Sequence, residues 1–322
     1  MKPEKLALPA SLGPEGRDTA RHHAALLDRC AGLKPLKTAV VHPCDGPSLS
    51  AAVDAAKAGL IEPVLVGPEH KIEAAAKASG VDISGYKLVP APHSHAAAAE
   101  AVAMARRGEV RALMKGSLHT DELMHAVVAA DSGLGTGRRI SHCFVFDLKD
   151  YPRPLLITDA AVNIFPSLGE KRDICQNAID LAHILGIEKP RVAILSAVET
   201  VNEKLPSTID AAALCKMAER GQIAGGLLDG PLALDNAVSP EAANIKGLSS
   251  PVAGHADILL VPDLESGNML AKQLTFLEGG QGAGLVLGAR VPIILTSRAD
   301  PEGARLASCA LALLVAGSLR QS

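Results

Sequence analysis

VPIILTSRAD, Val291–Asp300, is a short apolar run that stops abruptly at a hydroxyl and a guanidinium, with a carboxylate two residues on. An Ala/Leu-rich segment, Ala304–Val315, comes next and reads as a helix. An apolar run this short, bounded by polar residues, fits a strand buried inside a sheet. The same step from apolar strand to polar loop to Ala-rich helix recurs along the chain. Working backwards from it, ADILLVP, RVAILS, PLLITDA, SHCFVFDL, VRALMKG, PVLVG and TAVVHP read as strands. Helical stretches between them are expected at Gly267–Leu277, from Pro240, at Ser207–Arg220, Lys171–Leu185, Ser94–Arg107 and Ser50–Gly59. Lys171–Leu185 places Ile174, Ala178, Leu181 and Leu185 on one face, with Gly186 as its stop. Ser207-Thr-Ile-Asp210 has the form of a capping box. Strands alternating with helices imply an α/β fold with largely parallel sheets.

The length of 322 residues suggests about two domains. The expected division is a peripheral segment 1–36, a discontinuous first α/β domain of 37–153 plus 285–322, and a second α/β domain of 154–284. Apolar residues make up 48% of the chain, enough for sizeable cores, yet aromatics are only 2% and Trp is absent, so those cores are aliphatic. Lack of aromatic platforms and a net charge of −3 argue against nucleic-acid binding. No apolar run approaches the ~18 residues of a membrane span. Six cysteines without a C-x-x-C pair read as small core residues in a reducing compartment, so a cytoplasmic protein is expected.

In open α/β sheets ligands bind at the carboxyl ends of strands. That rule marks Lys115-Gly116-Ser117, Asp159, Ser196, Asp263 and Ser297-Arg298 as candidates. Arg offers a planar fork of donors that matches phosphate, and Ser one short directional donor. The plainer alternative for Arg298 is a surface residue paired with Asp300. Asp159 is equally suited to a turn or helix cap, and Lys115 to a buried stem with an exposed head. His93 and His95 alternate without a third ligand, which favours a solvated loop over a metal site.

From about Lys37 to its C-terminus the chain resembles the phosphate acetyl/butyryl transferase family. The resemblance is carried by MKGSLHT, GLGTGRRISH, ITDAAVN, AILSAVETVN, LDGPLALDNA, SPVAG, VPDLESGN and TSRAD in one order, in phrasing nearer the butyryl-type branch. It implies two α/β domains of isocitrate/isopropylmalate-dehydrogenase-like architecture with the active site in a cleft between them. It also implies reversible acyl transfer between coenzyme A and inorganic phosphate, through direct thiolate attack on an acyl phosphate. No metal and no tightly bound cofactor are expected; acyl-CoA, phosphate and acyl phosphate are the substrates, and a homodimer is usual. Carried over, Ser297, Arg298 and Asp300 are the catalytic candidates, with Asp300 as base. Lys115, Gly116, Ser117, Thr120, His125, Asp159, Asn163 and Asn268 are the phosphate or substrate contacts. The Gly116–Thr120 turn is expected to offer backbone N–H donors to an anion.

Two departures stand out. The family places an arginine where this chain has His125, and another where it has Gly135. Acetyl is the leading acyl group and butyryl the alternative. More distant alternatives are a nicotinamide-dependent dehydrogenase, against which stands the absence of an early G-x-G-x-x-G, and a non-catalytic descendant.

Overall fold

The computed structural model describes residues 21–296 and 300–319. The chain divides into two compact units, Met1–Gly137 with Ala283–Ser322, and Arg138–Gly282. The first unit contains α1 (Arg21–Cys30), β1 (Leu36–Val41), α2 (Gly46–Lys57), β2 (Ile61–Gly67), α3 (Glu69–Ser79), β3 (Lys87–Pro90), α4 (Ser94–Arg106), β4 (Ala112–Lys115) and α5 (Thr120–Val128). The second contains β5 (Ser141–Asp147), β6 (Leu155–Thr158), α6 (Leu168–Ile184), β7 (Arg191–Leu195), α7 (Pro206–Glu219), β8 (Leu227–Leu232), α8 (Leu234–Val238), α9 (Pro240–Ile245), β9 (Ile258–Leu260) and α10 (Leu264–Phe276). The chain returns to the first unit through β10 (Gln281–Leu287), β11 (Ile293–Ile294) and α11 (Glu302–Ser318).

Within the first unit the strand order is β3-β2-β1-β4-β11-β10. All neighbours are parallel except β10 and β11. The apolar run VPIILT thus supplies only a two-residue strand, wedged between β4 and β10. α11 is buried over nearly its whole length, which its run of Ala, Leu, Val, Gly and Cys allows. It is tied to β10 by Ser308, whose hydroxyl accepts from the Gly284 N–H at 3.0 Å and donates to the Ala304 carbonyl at 2.9 Å. α1 buries His23, Leu26, Leu27 and Cys30, one helical face. The Cys30 thiol meets the Ala310 carbonyl at 3.6 Å. From Arg21 onward, therefore, the leading segment packs on the C-terminal helix; the expectation of a peripheral segment through residue 36 does not describe it.

The second unit has the order β5-β6-β9-β7-β8, parallel except for β5 and β6. Residues 138–153, grouped with the first domain in the sequence reading, fall in this unit because β5 pairs antiparallel with β6. Its core is aliphatic, built around Ile157, Ala193, Leu232, Leu259 and Val261, with Phe146 the bulkiest buried side chain.

Helix starts differ from the expected ones where a cap lies further upstream. α2 begins at Gly46 because the Asp45 carboxylate accepts from the Ser48 N–H at 2.9 Å. α10 starts at Leu264 behind Asp263, which caps the Ser266 N–H at 2.8 Å. The capping box read at Ser207 is absent, and α7 opens instead with Pro206 and no side-chain cap. A true capping box sits at α6, where Ser167 and Glu170 satisfy each other's backbone N–H groups. Ser167→Ala is expected to lower unfolding free energy by ~0.5–2 kcal/mol in urea titrations. A change within error would show that α6 does not need its cap.

Candidate active site

β1 and β4 end side by side, and their junction fixes the first half of the site. The Gly116 N–H donates to the Val41 carbonyl at 2.9 Å and the Ser117 N–H to the His42 carbonyl at 3.0 Å. The approach is so close that a Cβ on Gly116 would lie 2.4 Å from the Val41 oxygen and 2.8 Å from that of His42. Only glycine fits. Ser117 completes the junction: its hydroxyl donates to the His42 carbonyl at 2.7 Å, accepts from the Cys44 N–H at 3.2 Å and lies 3.2 Å from His42 Nδ1. His42 adopts a left-handed backbone, φ 53°, at this point. Its imidazole is held below the ordinary histidine range, first by burial and then by Lys71.

This geometry corrects one expectation. The Gly116 and Ser117 N–H groups do not face an anion, because the carbonyls of Val41 and His42 already occupy them. Their place in the site is structural, holding the loops after β1 and β4 together. Thr120 is half-buried in the first turn of α5, beside Asp121 and Glu122. His125 is exposed in the last turn of the same helix. Gly135 forms a bridge with Ala289, flanked by the Arg290 N–H on the Leu134 carbonyl at 2.9 Å. A side chain at Gly135 would meet nothing within 4 Å.

A small pocket opens where these strand ends converge. Lys115 and Gly116 from the end of β4, Thr296 after β11 and Arg305 in the first turn of α11 line it. Pro47, Ser48 and Ala51 of α2 close it. Ser297 and Arg298, the leading catalytic candidates, lie outside the described residues; Thr296 precedes them directly. Asp300 is half-buried, and its carbonyl accepts from Arg305 Nη1 at 3.1 Å.

The second unit gathers three other candidates, Asp159, Asn163 and Asn268. Asp159 is 3% exposed and Asn163 2%. The Asp159 carboxylate accepts from the N–H groups of Ala161 at 2.9 Å, Val162 at 3.0 Å and Asn163 at 3.2 Å, and from the Asn163 amide at 2.5 Å. Such a carboxylate organises its own loop, as the turn-and-cap reading of Asp159 has it. Asn163 donates on to the Ile140 carbonyl at 2.9 Å and accepts from Arg139 Nε at 2.5 Å. Asn268 donates to the Ala160 carbonyl at 3.2 Å, and Gly267 lets α10 approach the Asp159 backbone. The two arginines of GLGTGRRISH are paired within this unit, Arg138 with Asp180 and Arg139 with Glu170 at 3.0 Å.

Several secondary candidates resolve into structure. Ser196 is bonded to Ser207 at 2.8 Å. Glu199 pairs with Asn236 and, at 3.5 Å, with Lys246. His93 lies exposed in the loop before α4 and caps that helix by accepting from the Ala96 N–H at 3.2 Å. Burial raises the thiols of Cys143 and Cys309, the latter to about 12, which suits core residues and not nucleophiles. Sequence reasoning overlooked His42, although it stands directly after a strand like the residues that were marked. It also overlooked Arg305, the lone Lys or Arg between Glu302 and Ser318.

Cationic and hydroxyl side chains converge at strand ends of this α/β scaffold, a lining suited to an anion. The family model described as "Phosphate acetyl/butaryl transferase" matches residues 92–313. The chain belongs to this family, and it is an acyltransferase by that membership. It is 64% identical over 286 residues to a phosphate acetyltransferase of Rhizobium meliloti, covering 89% of this chain and 90% of that one. It is 44% identical over 282 residues to a phosphate butyryltransferase of Clostridium acetobutylicum, covering 88% and 94%. The crystal structure of a branched-chain phosphotransacylase from Enterococcus faecalis V583 superposes with a TM-score of 0.76 at 29% identity, covering 87% and 99%.

Gly116→Ala is expected to destabilise at the upper end of the ~1–3 kcal/mol that overpacking costs, because backbone oxygens cannot rotate away. Gly135→Ala, with open space around it, is the control and should be near neutral by thermal denaturation. Equal effects at the two positions would contradict the close approach of β4 to β1.

His142 supplies a pH test. It is 1% exposed, packs edge-on against Phe144 at 4.4 Å, and burial pushes its pKa down to about 4 while Asp159 opposes the shift. An unfolded histidine titrates near ~6.5 and takes up a proton the folded one refuses. Stability should therefore fall as pH drops from about 6.5 towards 4, by up to ~1.4 kcal/mol per pH unit from this residue. Urea titrations of His142→Leu should show a shallower loss over that interval; an unchanged slope would remove His142 from the account.

Proposed function

We propose that this chain is a phosphate acetyltransferase, catalysing acetyl-CoA + phosphate = acetyl phosphate + CoA. The carrying observation is the 64% identity over nearly the full length of both chains to a protein of that name. The convergence of Lys115 and Arg305 beside Thr296 supports it, since the reaction needs cations for a phosphate dianion. Neither acyl-CoA nor phosphate is a resident cofactor; both are substrates.

Towards acetyl-CoA, the thiol of coenzyme A loses its proton and attacks the carbonyl of acetyl phosphate. Free thiols titrate near ~8.5, so a base is needed at neutral pH. Asp300, half-buried next to the pocket's arginine, is our candidate. As the carbon becomes tetrahedral its oxygen gathers charge, and one preplaced donor there contributes ~3–4 kcal/mol. By the family resemblance Ser297 is that donor and Arg298 holds the leaving phosphate. Collapse of the intermediate expels phosphate and leaves the thioester. Lys115 adds positive charge from the end of β4.

The chain's working form is proposed to be a homodimer. Supporting this, Phe165, Phe276 and Leu277 are each at least 70% exposed in the second unit, in a chain with only four Phe. A cytoplasmic location is proposed from the CoA-linked chemistry and the six free thiols.

Purified protein given acetyl-CoA is expected to release thiol only when phosphate or arsenate is present. Arg298→Ala should lower kcat/KM for phosphate by roughly a hundredfold or more. Release independent of phosphate, or a variant with normal turnover, would defeat the mechanism. Butyryl-CoA outrunning acetyl-CoA would move the assignment to the butyryl branch.

A further inference from the structure

Arg305 is assigned no substrate contact in the catalytic steps above, yet its surroundings are those of a ligand-holding group. It is the lone Lys or Arg in α11, a helix whose one other charged residue is Glu302 and which is buried on most sides. A cation embedded there loses hydration, and packing alone gives no reason for it. One arm of the guanidinium is used, Nη1 donating to the Asp300 carbonyl. Its Nε is buried and has no hydrogen-bond partner among the described residues. A buried donor left unmade is costly, and more so when charged.

The remaining walls point the same way. Lys115 stands in the same pocket, with Gly116, Thr296 and the first turn of α2, and no Asp or Glu lines it among the described residues. The positive end of α2 adds to the field, partly offset by the Asp45 carboxylate that caps Ser48. Two cations and two hydroxyls in the lining suit an anion with several acceptor oxygens, and Asp300, whose carbonyl Arg305 holds, stands beside them.

We propose that Arg305 is a phosphate-binding residue, holding inorganic phosphate, or the phosphoryl end of acetyl phosphate, jointly with Lys115. This rests on the acyltransferase reading of the site and assigns it a second guanidinium from α11. Asp300 links the two, since the backbone carbonyl of our candidate base anchors the other arm of Arg305.

The test compares wild type with Arg305→Met, which keeps the apolar stem, in two readouts. In steady-state kinetics the KM for phosphate should rise roughly ten- to hundredfold, with the KM for acetyl-CoA within about twofold. In thermal denaturation with inorganic phosphate alone, the stabilisation seen for wild type should be lost. An unchanged KM for phosphate together with an unchanged phosphate-induced shift would overturn the assignment while leaving the acyltransferase reading intact. If wild type transfers no acyl group, that reading fails, and the phosphate-induced shift still decides whether Arg305 binds the anion. Should Arg305→Met not fold, Arg305→Lys takes its place: it keeps charge and loses the fork, so an intermediate KM is expected and a wild-type KM is contradictory.

Discussion

The contact of β4 with β1 at Gly116 is the constraint on which the first unit's candidate site depends. Two backbone hydrogen bonds and a glycine that no larger residue can replace bring the ends of these strands together. Every neighbouring feature depends on that approach. Ser117 can reach three groups on the stretch after β1, His42 is turned into a left-handed conformation, and Lys115 is brought to the pocket that α11 closes with Arg305. Two of the N–H groups expected to bind an anion, those of Gly116 and Ser117, are consumed in building the platform.

The second unit uses a different device for the same end, an ordered loop after a strand. Asp159 gathers three backbone N–H groups and the Asn163 amide, and Asn163 passes the order on to Arg139. A buried network of this kind is stable only when nearly every member is satisfied. Glu170 couples it to α6, because the same carboxylate caps the helix and pairs with Arg139.

Much of this architecture was legible in the sequence, for identifiable reasons. Short apolar runs alternating with Ala-rich helices can be buried only as a largely parallel sheet, and both units have one. The rule that ligands lie at strand ends selected Lys115 and Gly116, which line a pocket, and Asp159, which organises a loop. Which partner each polar group would choose could not be read. The commitment of the Gly116 and Ser117 N–H groups depends on β1, some seventy-five residues earlier in the chain. The half-burial of Arg305 depends on α2 and the loop after β4 lying beside the start of α11, and no local pattern records that. Caps were misread for a related reason: Ser207 has the right spacing, but Pro206 and the pairing with Ser196 give its hydroxyl other work.

Co-crystallisation with phosphate or acetyl phosphate tests the account most directly. The phosphoryl group is predicted to sit in the pocket between β4 and α11, within hydrogen-bond distance of both Lys115 Nζ and Arg305 Nε. A phosphoryl group bound elsewhere, with that pocket occupied only by water, would contradict it.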